Sequence, residues 1–312
     1  GMPVVIAHRG ASGYLPEHTL AAKKLAFEMG SDYLEQDIVA SRDDALLVLH
    51  DIYLDRVSDV ALKFPGRQRE DGRFYARDFD LAEIRQLRAW ERMQADGTAV
   101  YPGRYPAQSG GFRIPTLAEE LQLVAALNHE HGRNTGIYPE IKRPAWHKSE
   151  GVDIAPMLLE QLAAGGYAGR EDPVFVQCFD ADEVRRLKND LRCPYRLIQL
   201  IGNNSWLESS TDYDAMRSPE GIAAVAEWAD GIGPHLSHLA ELEAVEGVPV
   251  VTDLSRLAKE AGLLIHPYTF RVDDLPPGFA SFDDLVRFYV TEIGVDGLFT
   301  DFPDKVVSLL ED

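Results

Sequence analysis

Eight short apolar segments, separated by stretches of helical pattern, constrain the fold of this chain more than any other feature. Their Val, Ile, Leu and Tyr residues show no polar alternation, which is typical of strands buried on both faces of a parallel sheet. The segments are residues 4–7, 33–39, 136–141, 174–178, 196–201, 231–233, 263–268 and 297–300. Because strand and helix alternate along the chain, the pattern predicts an α/β fold, a TIM (β/α)8 barrel.

The helical stretches carry their own start signals. Thr116 followed by Glu119 predicts a capping box, in which each side chain bonds the other's backbone N–H, at the start of a helix over residues 117–127. Asp180 and Glu183 have the same spacing and predict a second capping box. Both signals fall between candidate strands, as the barrel requires.

Two segments break the alternation of strand and helix. Residues 46–50 follow the second strand after a turn too short for a parallel crossover, so we expect them to pair with it as a hairpin arm. Residues 52–113 are too many for a structureless loop in a compact domain. We therefore predict a small subdomain inserted after the second strand, within a single barrel domain spanning residues 2–312.

The charge of the chain limits what it can bind. With 31 Lys+Arg against 51 Asp+Glu, its formal charge is −20, which should repel nucleic acids and anionic lipid surfaces. It has no apolar stretch long enough to span a bilayer, so we expect no stable membrane insertion. Residues 52–113 differ, with 11 basic and 9 acidic residues. This segment can relieve repulsion near an anionic ligand.

Polar residues follow the ends of the first three predicted strands. In a barrel of this kind, functional groups gather at the C-terminal strand ends, which all open on one face. The candidates are His8 and Arg9 after the first strand, Glu35 and Asp37 on the second, His50 at the end of the hairpin arm, and Glu140 and Lys142 on the third. Side chains two residues apart share one face of a strand. We therefore expect these acids and bases to converge.

Three of these side chains, Glu35, Asp37 and Glu140, are carboxylates. Like charges in a site of low dielectric raise each other's pKa, so a cation is needed to keep all three ionised. Carboxylate oxygens are hard donors that suit Ca²⁺ or Mg²⁺ better than Zn²⁺. We therefore expect one divalent cation, Ca²⁺ or Mg²⁺. The alternative is a set of salt bridges to Arg9 and Lys142, which does not explain why acids and bases cluster at strand ends.

Two histidines, His8 and His50, flank the predicted carboxylate cluster. A lone histidine at a strand end is more often a core residue with satisfied hydrogen bonds, but two beside carboxylates and an arginine favour a general acid and base pair. The other histidines in helical or loop positions are predicted to be structural or exposed. They are His129, His131, His147, His235 and His238.

Longer motifs carry a resemblance to a known family. They are VIAHRGASGYLPEHTL, DYLEQDIVASRDDALLVLHD, GIYPEIK, VFVQCFDADEV, HPYTFR and DGLFTDFPD, and they extend over essentially the whole chain. Together they resemble the glycerophosphodiester phosphodiesterases, most closely the longer bacterial periplasmic type. A His-Arg-Gly opening alone is a weak signal, but with Glu-x-Asp, His-Asp and Pro-Glu-Ile-Lys in that order it leaves few alternatives.

The resemblance implies a TIM barrel of the PLC-like phosphodiesterase type. It also implies metal-dependent hydrolysis of glycerophosphodiesters, the deacylated phospholipids, to sn-glycerol 3-phosphate and an alcohol. The implied roles are metal binding for Glu35, Asp37 and Glu140, general acid and base catalysis for His8 and His50, and phosphoryl binding for Arg9 and Lys142. In this family the attacking group can be the neighbouring glycerol hydroxyl, which gives a cyclic phosphate that water then opens. Which histidine acts in which step does not follow from sequence.

Four further positions bear on the site. Shorter family members commonly carry Asn where this chain has His18, for which we expect a supporting role. The longer periplasmic type resembles this chain at that position, so the difference does not indicate lost activity. Three more strand-end residues, Gln177, Tyr268 and Phe299, are expected to line the substrate pocket.

Two other functions stay open at this point. Hydrolysis of an intact phospholipid needs an exposed apolar or basic face, against which the net charge argues. A barrel that binds ligand without turnover is the second alternative, although a competent residue fills every proposed catalytic position. The protein is predicted to be cytoplasmic if Met2 is its native start and periplasmic if a leader was removed. The preferred alcohol, the native metal and the oligomeric state do not follow from the sequence.

Overall fold

The computed structural model describes residues 1–312, apart from the side chains of residues 244 and 245. The strands are β1 (Val4–Ala7), β2 (Tyr33–Ala40), β3 (Leu46–Val48), β4 (Gly136–Ile141), β5 (Phe175–Cys178), β6 (Arg196–Ile201), β7 (Gly231–Pro234), β8 (Ala240–Val245), β9 (Val248–Val251), β10 (Leu264–Ile265) and β11 (Gly297–Thr300).

The α-helices lie between these strands and after the last one. They are α1 (Leu20–Glu28), α2 (Val60–Lys63), α3 (Leu81–Ile84), α4 (Leu117–His131), α5 (Pro144–Ser149), α6 (Ile154–Ala164), α7 (Ala181–Asn189), α8 (Tyr213–Met216), α9 (Pro219–Val225), α10 (Leu236–Leu239), α11 (Leu254–Glu260), α12 (Phe282–Arg287) and α13 (Pro303–Glu311). Short 3₁₀ turns cover Ala76–Asp78 and Asn204–Trp206, and a π-helical turn covers Phe288–Ile293.

Eight of the strands form the predicted barrel. The paired strands follow the order β10, β7, β6, β5, β4, β2, β1 and β11, and each neighbouring pair along this path is parallel. β3 lies outside this ring and pairs antiparallel with β2, so the expected hairpin arm is confirmed. The (β/α)8 barrel prediction is confirmed, and the C-terminal ends of its strands open on one face.

The barrel closes between β11 and the segment that follows β10. Asp296 N donates to Ile265 O at 2.9 Å, and Phe299 N donates to Pro267 O at 3.1 Å. The seventh strand was predicted over residues 263–268, but its regular ladder covers only Leu264–Ile265. Bonds to β7 continue from His266 N and Tyr268 N, but Pro234 and Pro267 have no N–H to donate, so the regular ladder is interrupted.

The predicted helix start at Thr116 is confirmed. Thr116 Oγ1 accepts from Glu119 N at 3.1 Å, and the Glu119 carboxylate accepts from Thr116 N, which is the reciprocal capping box. The second prediction was wrong in part. Asp180 does cap α7, accepting from Asp182 N at 3.0 Å, but the carboxylate of Glu183 pairs with Lys148 and Arg186 instead. Competing ion pairs therefore replace the second half of that box.

Residues 52–113, here called the insertion, pack on the outer side of the β2–β3 hairpin. Side chains from the hairpin and the insertion share one apolar cluster, separate from the main core. Its members are Val39, Leu47, Leu49, Ile52, Leu54, Val57, Val60, Phe74, Tyr75, Ala76, Phe79, Ile84, Leu87, Ala89 and Ile114. Burial of this apolar surface fixes the insertion against the hairpin that carries Asp37 and leads into His50.

A short apolar layer fills the barrel beneath its mouth. Ile6, Tyr138, Phe175, Ile198 and Phe299 pack together there. The hydroxyl of Tyr138 bonds Nδ1 of His266 at 2.8 Å, which satisfies both groups in a dry environment. This layer forms a rigid floor for the side chains at the strand ends.

A hairpin of β8 and β9 follows β7, the sixth barrel strand, and was not anticipated. Its turn is formed by Glu246 and Gly247, whose φ angles are 49° and 75°, as a two-residue type I′ turn requires.

Among the described residues, no helix is long and apolar enough to cross a membrane.

Candidate active site

A cavity of about 400 Å³ opens at the C-terminal ends of the barrel strands. Nine of the ten residues predicted for the site line it. They are His8, Arg9, Glu35, Asp37, His50, Glu140, Gln177, Tyr268 and Phe299. The tenth, Lys142, is buried beside it with Nζ 3.3 Å from Glu140 Oε2. The structure therefore brings the residues selected from strand ends into one place.

Strand register explains why the carboxylates meet. Asp37 on β2 pairs with Glu140 on β4, which pairs with Gln177 on β5, so these side chains form a row across three strands. Glu35 lies two residues before Asp37 and faces the same way. The Glu35 carboxylate accepts from Gln177 Nε2 at 2.9 Å and from Arg9 N at 3.1 Å.

Two of the three carboxylates, those of Glu35 and Glu140, are not kept ionised by the described residues around them. Burial, together with the negative charge of Asp37, raises the pKa of Glu35 well above its usual value. Burial also raises the pKa of Glu140, even though Lys142 opposes this. Asp37 Oδ1 is buried and has no hydrogen-bond partner among the described residues. An orphaned carboxylate oxygen beside two further carboxylates fits a bound cation.

His18 supports the cluster from the first loop. Its Nε2 lies 2.6 Å from Asp37 Oδ2, and its ligand atoms lie within 4.8 Å of those of Glu35 and Asp37. Burial would raise the pKa of Asp37, but His18 holds it well below the usual range. His18 can thus orient Asp37, or join Glu35 and Asp37 as a nitrogen ligand.

The loop after β1 holds an unusual backbone conformation. Arg9 and His18 both have positive φ, at 62° and 61°, and His18 N donates to Arg9 O at 2.9 Å. Gly10 follows with φ of 85°, and a Cβ there would lie 2.9 Å from the backbone of Ala22. Non-glycine residues at positive φ cost energy and recur at functional sites. Here they hold Arg9 and His18 against the carboxylates.

His8 is held by an aspartate that closes the barrel. Its Nδ1 lies 2.6 Å from Asp301 Oδ1, and its Nε2 lies 3.9 Å from Glu35 Oε1. Asp301 Oδ2 accepts from Arg104 at 2.9 Å and from Arg271 at 2.7 Å. The imidazole is therefore fixed with Nε2 directed towards the carboxylate cluster.

His50 has a similar arrangement built from different segments. Its Nδ1 lies 2.6 Å from Asp51 Oδ1, and Asp51 Oδ2 accepts from Arg92 at 2.8 Å. Arg92 also donates to both carboxylate oxygens of Glu17, which in turn accepts from Arg9. A chain of ion pairs thus connects His50 to the loop after β1.

The protonation states of the two histidines follow from these partners. Burial lowers the pKa of His8 to about 4 and that of His50 to about 3. Burial would raise the pKa of Asp301, but Arg271 holds it well below the usual range, and Arg92 does the same for Asp51. Each ionised aspartate can only accept, so Nδ1 of each histidine carries the proton. Nε2 is left as a proton acceptor at neutral pH.

For each histidine, the insertion supplies an arginine that bonds the aspartate holding that histidine. Arg92 bonds Asp51, and Arg104 bonds Asp301. Both arginines line a second cavity of about 260 Å³, to which His8 and His50 also contribute. The insertion therefore completes the surroundings of both imidazoles.

Several residues of the site were not selected from the sequence. Asp301 directly follows β11, and Arg271 lies in the segment that continues from β10, so a search a few residues beyond the strand ends could have identified them. Arg92 and Arg104 lie in irregular parts of the insertion, where no periodic signal exists. His235 was predicted to be structural or exposed, but it lines the cavity because it follows β7 at the barrel mouth.

A TIM barrel with a buried carboxylate cluster, two aspartate-bound histidines and neighbouring Arg and Lys side chains at its mouth fits the class of metal-dependent phosphodiester hydrolases. The chain matches the glycerophosphoryl diester phosphodiesterase family over residues 8–305 and belongs to it. This confirms the resemblance seen in its motifs.

Known proteins resemble this chain in sequence and in fold. The chain is 41% identical over 326 residues to a glycerophosphodiester phosphodiesterase of Haemophilus influenzae, covering 99% of this chain and 90% of the relative. A crystal structure from Silicibacter pomeroyi has a TM-score of 0.74 at 21% identity, covering 100% and 94% of the two chains. A phosphodiesterase of Oleispira antarctica, solved with sn-glycerol-3-phosphate, has a TM-score of 0.65 at 22% identity, covering 100% and 98%.

Proposed function

We propose that this protein hydrolyses glycerophosphodiesters to sn-glycerol 3-phosphate and a free alcohol, using His8 and His50 as the acid and base pair. The observation that carries the proposal is the placement of both imidazoles, each fixed at Nδ1 by an ionised aspartate, in the cavity that contains the carboxylate cluster. Membership of the family and the activity named for the Haemophilus influenzae relative support it. The product in the Oleispira antarctica structure supports the same substrate class.

The phosphoryl group has cationic partners at this site. Arg9 Nε is buried without a partner among the described residues, so it is free to donate to a phosphoryl oxygen. Lys142 is buried beside the cavity, and the neighbouring carboxylates of Glu140 and Glu208 keep it charged by raising its pKa, although burial opposes them. Charge-assisted bonds of this kind bind phosphate and orient it for attack in line with the leaving alcohol.

Proton transfer follows from the state of the two imidazoles. One Nε2 accepts the proton of the attacking hydroxyl or water while the second imidazole, protonated, gives a proton to the departing alkoxide. A negatively charged phosphodiester beside an imidazole favours its protonated form, which supports the acid role despite the low pKa in the free protein. Asp301 and Asp51 keep each ring in the productive orientation.

We assign Glu35, Asp37 and Glu140 as ligands of one Ca²⁺ or Mg²⁺ ion. All three offer oxygen donors, and Asp37 Oδ1 is buried and without a partner among the residues described. When bound, the cation offsets charge on the phosphoryl oxygens and orients the substrate. In this assignment the bond from His18 to Asp37 orients that ligand, as residues around metal sites commonly do.

The direct test is release of glycerol 3-phosphate. Purified protein, freed of metal by a chelator, is assayed with glycerophosphocholine, glycerophosphoethanolamine and glycerophosphoglycerol, with Ca²⁺ or Mg²⁺ added back separately. We expect product only after a cation is restored. Liposomes of intact phospholipid form a parallel arm. Faster hydrolysis of liposomes than of soluble diesters would contradict the proposed substrate class, and full activity in chelator would contradict the metal assignment.

A further inference from the structure

One side of the main cavity is a continuous wall of four aromatic rings. The ring centroids of Trp206 and His235 lie 5.8 Å apart, and their ring planes are inclined at 75°. The centroids of His235 and Tyr268 lie 5.5 Å apart with an interplanar angle of 78°. Those of Tyr268 and Phe179 lie 6.2 Å apart with an interplanar angle of 86°. All four rings line the cavity that contains the carboxylate cluster. We call this group of four the aromatic wall.

A glycine lets two members of the aromatic wall approach each other. A Cβ atom on Gly202 would lie 2.8 Å from the ring of Trp206 and 3.2 Å from the ring of Phe179. Only a residue without a side chain therefore permits both ring positions. Trp206 remains 39% exposed, so part of its ring is accessible to a ligand in the cavity.

Side chains of both charges line the cavity. Glu208 and Asp274 line the cavity together with the aromatic wall. Glu208 lies 3.5 Å from Arg143, and Asp274 accepts from the Tyr101 hydroxyl at 2.7 Å. Arg9 and Arg271 line the same cavity near the histidines. A ligand with a negative phosphate and a positive head group matches this distribution.

The aromatic wall begins next to the phosphate-binding residues. Lys142 Nζ lies 5.9 Å from the ring centroid of Phe179, while its other neighbour is Glu140 of the carboxylate cluster. A phosphoryl group held by Lys142 is therefore close to the first ring. A head group two methylenes away from the ester oxygen is then within reach of the other rings.

We propose that the aromatic wall and Glu208 form a subsite for a quaternary ammonium head group, so that the enzyme prefers choline diesters over neutral ones. This inference rests on the proposed function. A trimethylammonium group has no hydrogen to donate, and it binds through aromatic faces and nearby carboxylates. A glycerol head group needs hydrogen-bond partners, which four mostly apolar rings do not provide.

The test compares two substrates of the same shape. One is glycerophosphocholine, and the other carries a 3,3-dimethylbutyl group in place of choline, which removes the charge and keeps the size. For the unmodified enzyme we expect kcat/KM to be about tenfold higher for the cationic diester. Trp206→Ala and Glu208→Gln should each bring this ratio close to one, and Gly202→Ala should lower it by displacing Trp206.

The control variant is Leu207→Ala. Leu207 follows Trp206 in the chain, is 74% exposed and is not among the residues that line the cavity. It should keep the tenfold ratio. Equal kcat/KM for the two substrates in the unmodified enzyme would overturn the proposal. It would also be overturned if Trp206→Ala lowered both values by the same factor.

A binding measurement separates this proposal from the proposed function. Choline and neutral 3,3-dimethylbutan-1-ol are titrated into the protein, and saturation-transfer NMR measures binding of each. Choline should bind at least about tenfold more tightly, and Trp206→Ala should abolish the difference. If no diester is hydrolysed but this result holds, the proposed function fails and the subsite stands. If diesters are hydrolysed but choline has no advantage, the subsite fails alone.

Discussion

Oδ1 of Asp301 lies 2.6 Å from Nδ1 of His8, which links the end of the last barrel strand to the end of the first. Asp301 follows Thr300, and Thr300 pairs with Ala7 in the register of β1 and β11. Pairing of β1 with β11 therefore brings His8 and Asp301 together. His50 depends instead on Asp51, its neighbour in the chain. The two imidazoles are oriented in the same way by partners of very different sequence separation.

Asp301→Asn should lower kcat by about 10²-fold or more. The amide can donate to Nδ1, which favours the tautomer with the proton on Nε2 and removes the free acceptor. Asp51→Asn is the matched variant and should act in the same direction on His50. Steady-state kinetics with glycerophosphocholine measures both, and thermal unfolding checks that each variant is folded. Wild-type kcat in either folded variant would show that its aspartate does not orient the histidine.

Arg92→Gln and Arg104→Gln should each lower kcat by about tenfold and change KM by less than about twofold. Each arginine holds an aspartate that orients a histidine. Comparable outer contacts around metal ligands cost about 10- to 100-fold when lost, and we take the lower end of that range. Arg104→Lys should recover part of the loss, because a cation is restored. Arg85→Gln is the control in the insertion, since Arg85 is exposed and pairs only with Glu119 on the surface among the contacts described. A loss of similar size in Arg85→Gln would indicate a general effect of insertion stability.

The barrel could be predicted because its strands are buried on both faces. Such strands are mostly apolar runs with few charged residues, so Glu35, Asp37 and Glu140 stood out. The hairpin of β8 and β9 could not be found in the same way. Its exposed strand Val248–Val251 packs little against the core, so burial left no pattern in its sequence.

The residues around the histidines were harder to predict than the histidines themselves. Arg92 and Arg104 reach the site only because the insertion folds against the β2–β3 hairpin through its own apolar cluster. That packing depends on contacts between distant segments, which leave no local spacing to detect. Trp206 is similar, because its position follows from the fit of its ring against Gly202.

Asp37→Asn should abolish stabilisation by the divalent cation. A ligand that binds only the folded state stabilises it by about 2.7 kcal/mol at 100 times its Kd. We expect the free energy of unfolding of the unmodified protein to rise by about this amount on addition of Ca²⁺ or Mg²⁺, and that of the variant to stay constant. Denaturant unfolding with and without cation measures both. A cation effect of equal size in Asp37→Asn would place the ion elsewhere.

Glu91→Gln should change how stability depends on pH. Burial, with the charge of Glu17 nearby, raises the pKa of Glu91 to about 8, so its carboxyl is neutral in the folded protein at pH 7. In the unfolded chain the same group ionises near its ordinary pKa of about 4.5. Unfolding then releases a proton between about pH 4.5 and 8, so the unmodified protein loses stability as pH rises through this window. Gln cannot ionise, so the free energy of unfolding of the variant, relative to that of the unmodified protein, should rise by about 1–2 kcal/mol between pH 5 and 8. This figure is discounted because the adjoining cavity admits solvent. Denaturant unfolding at pH 5, 6.5 and 8 measures the difference, and parallel stability curves for the two proteins would show that Glu91 is ionised in the fold.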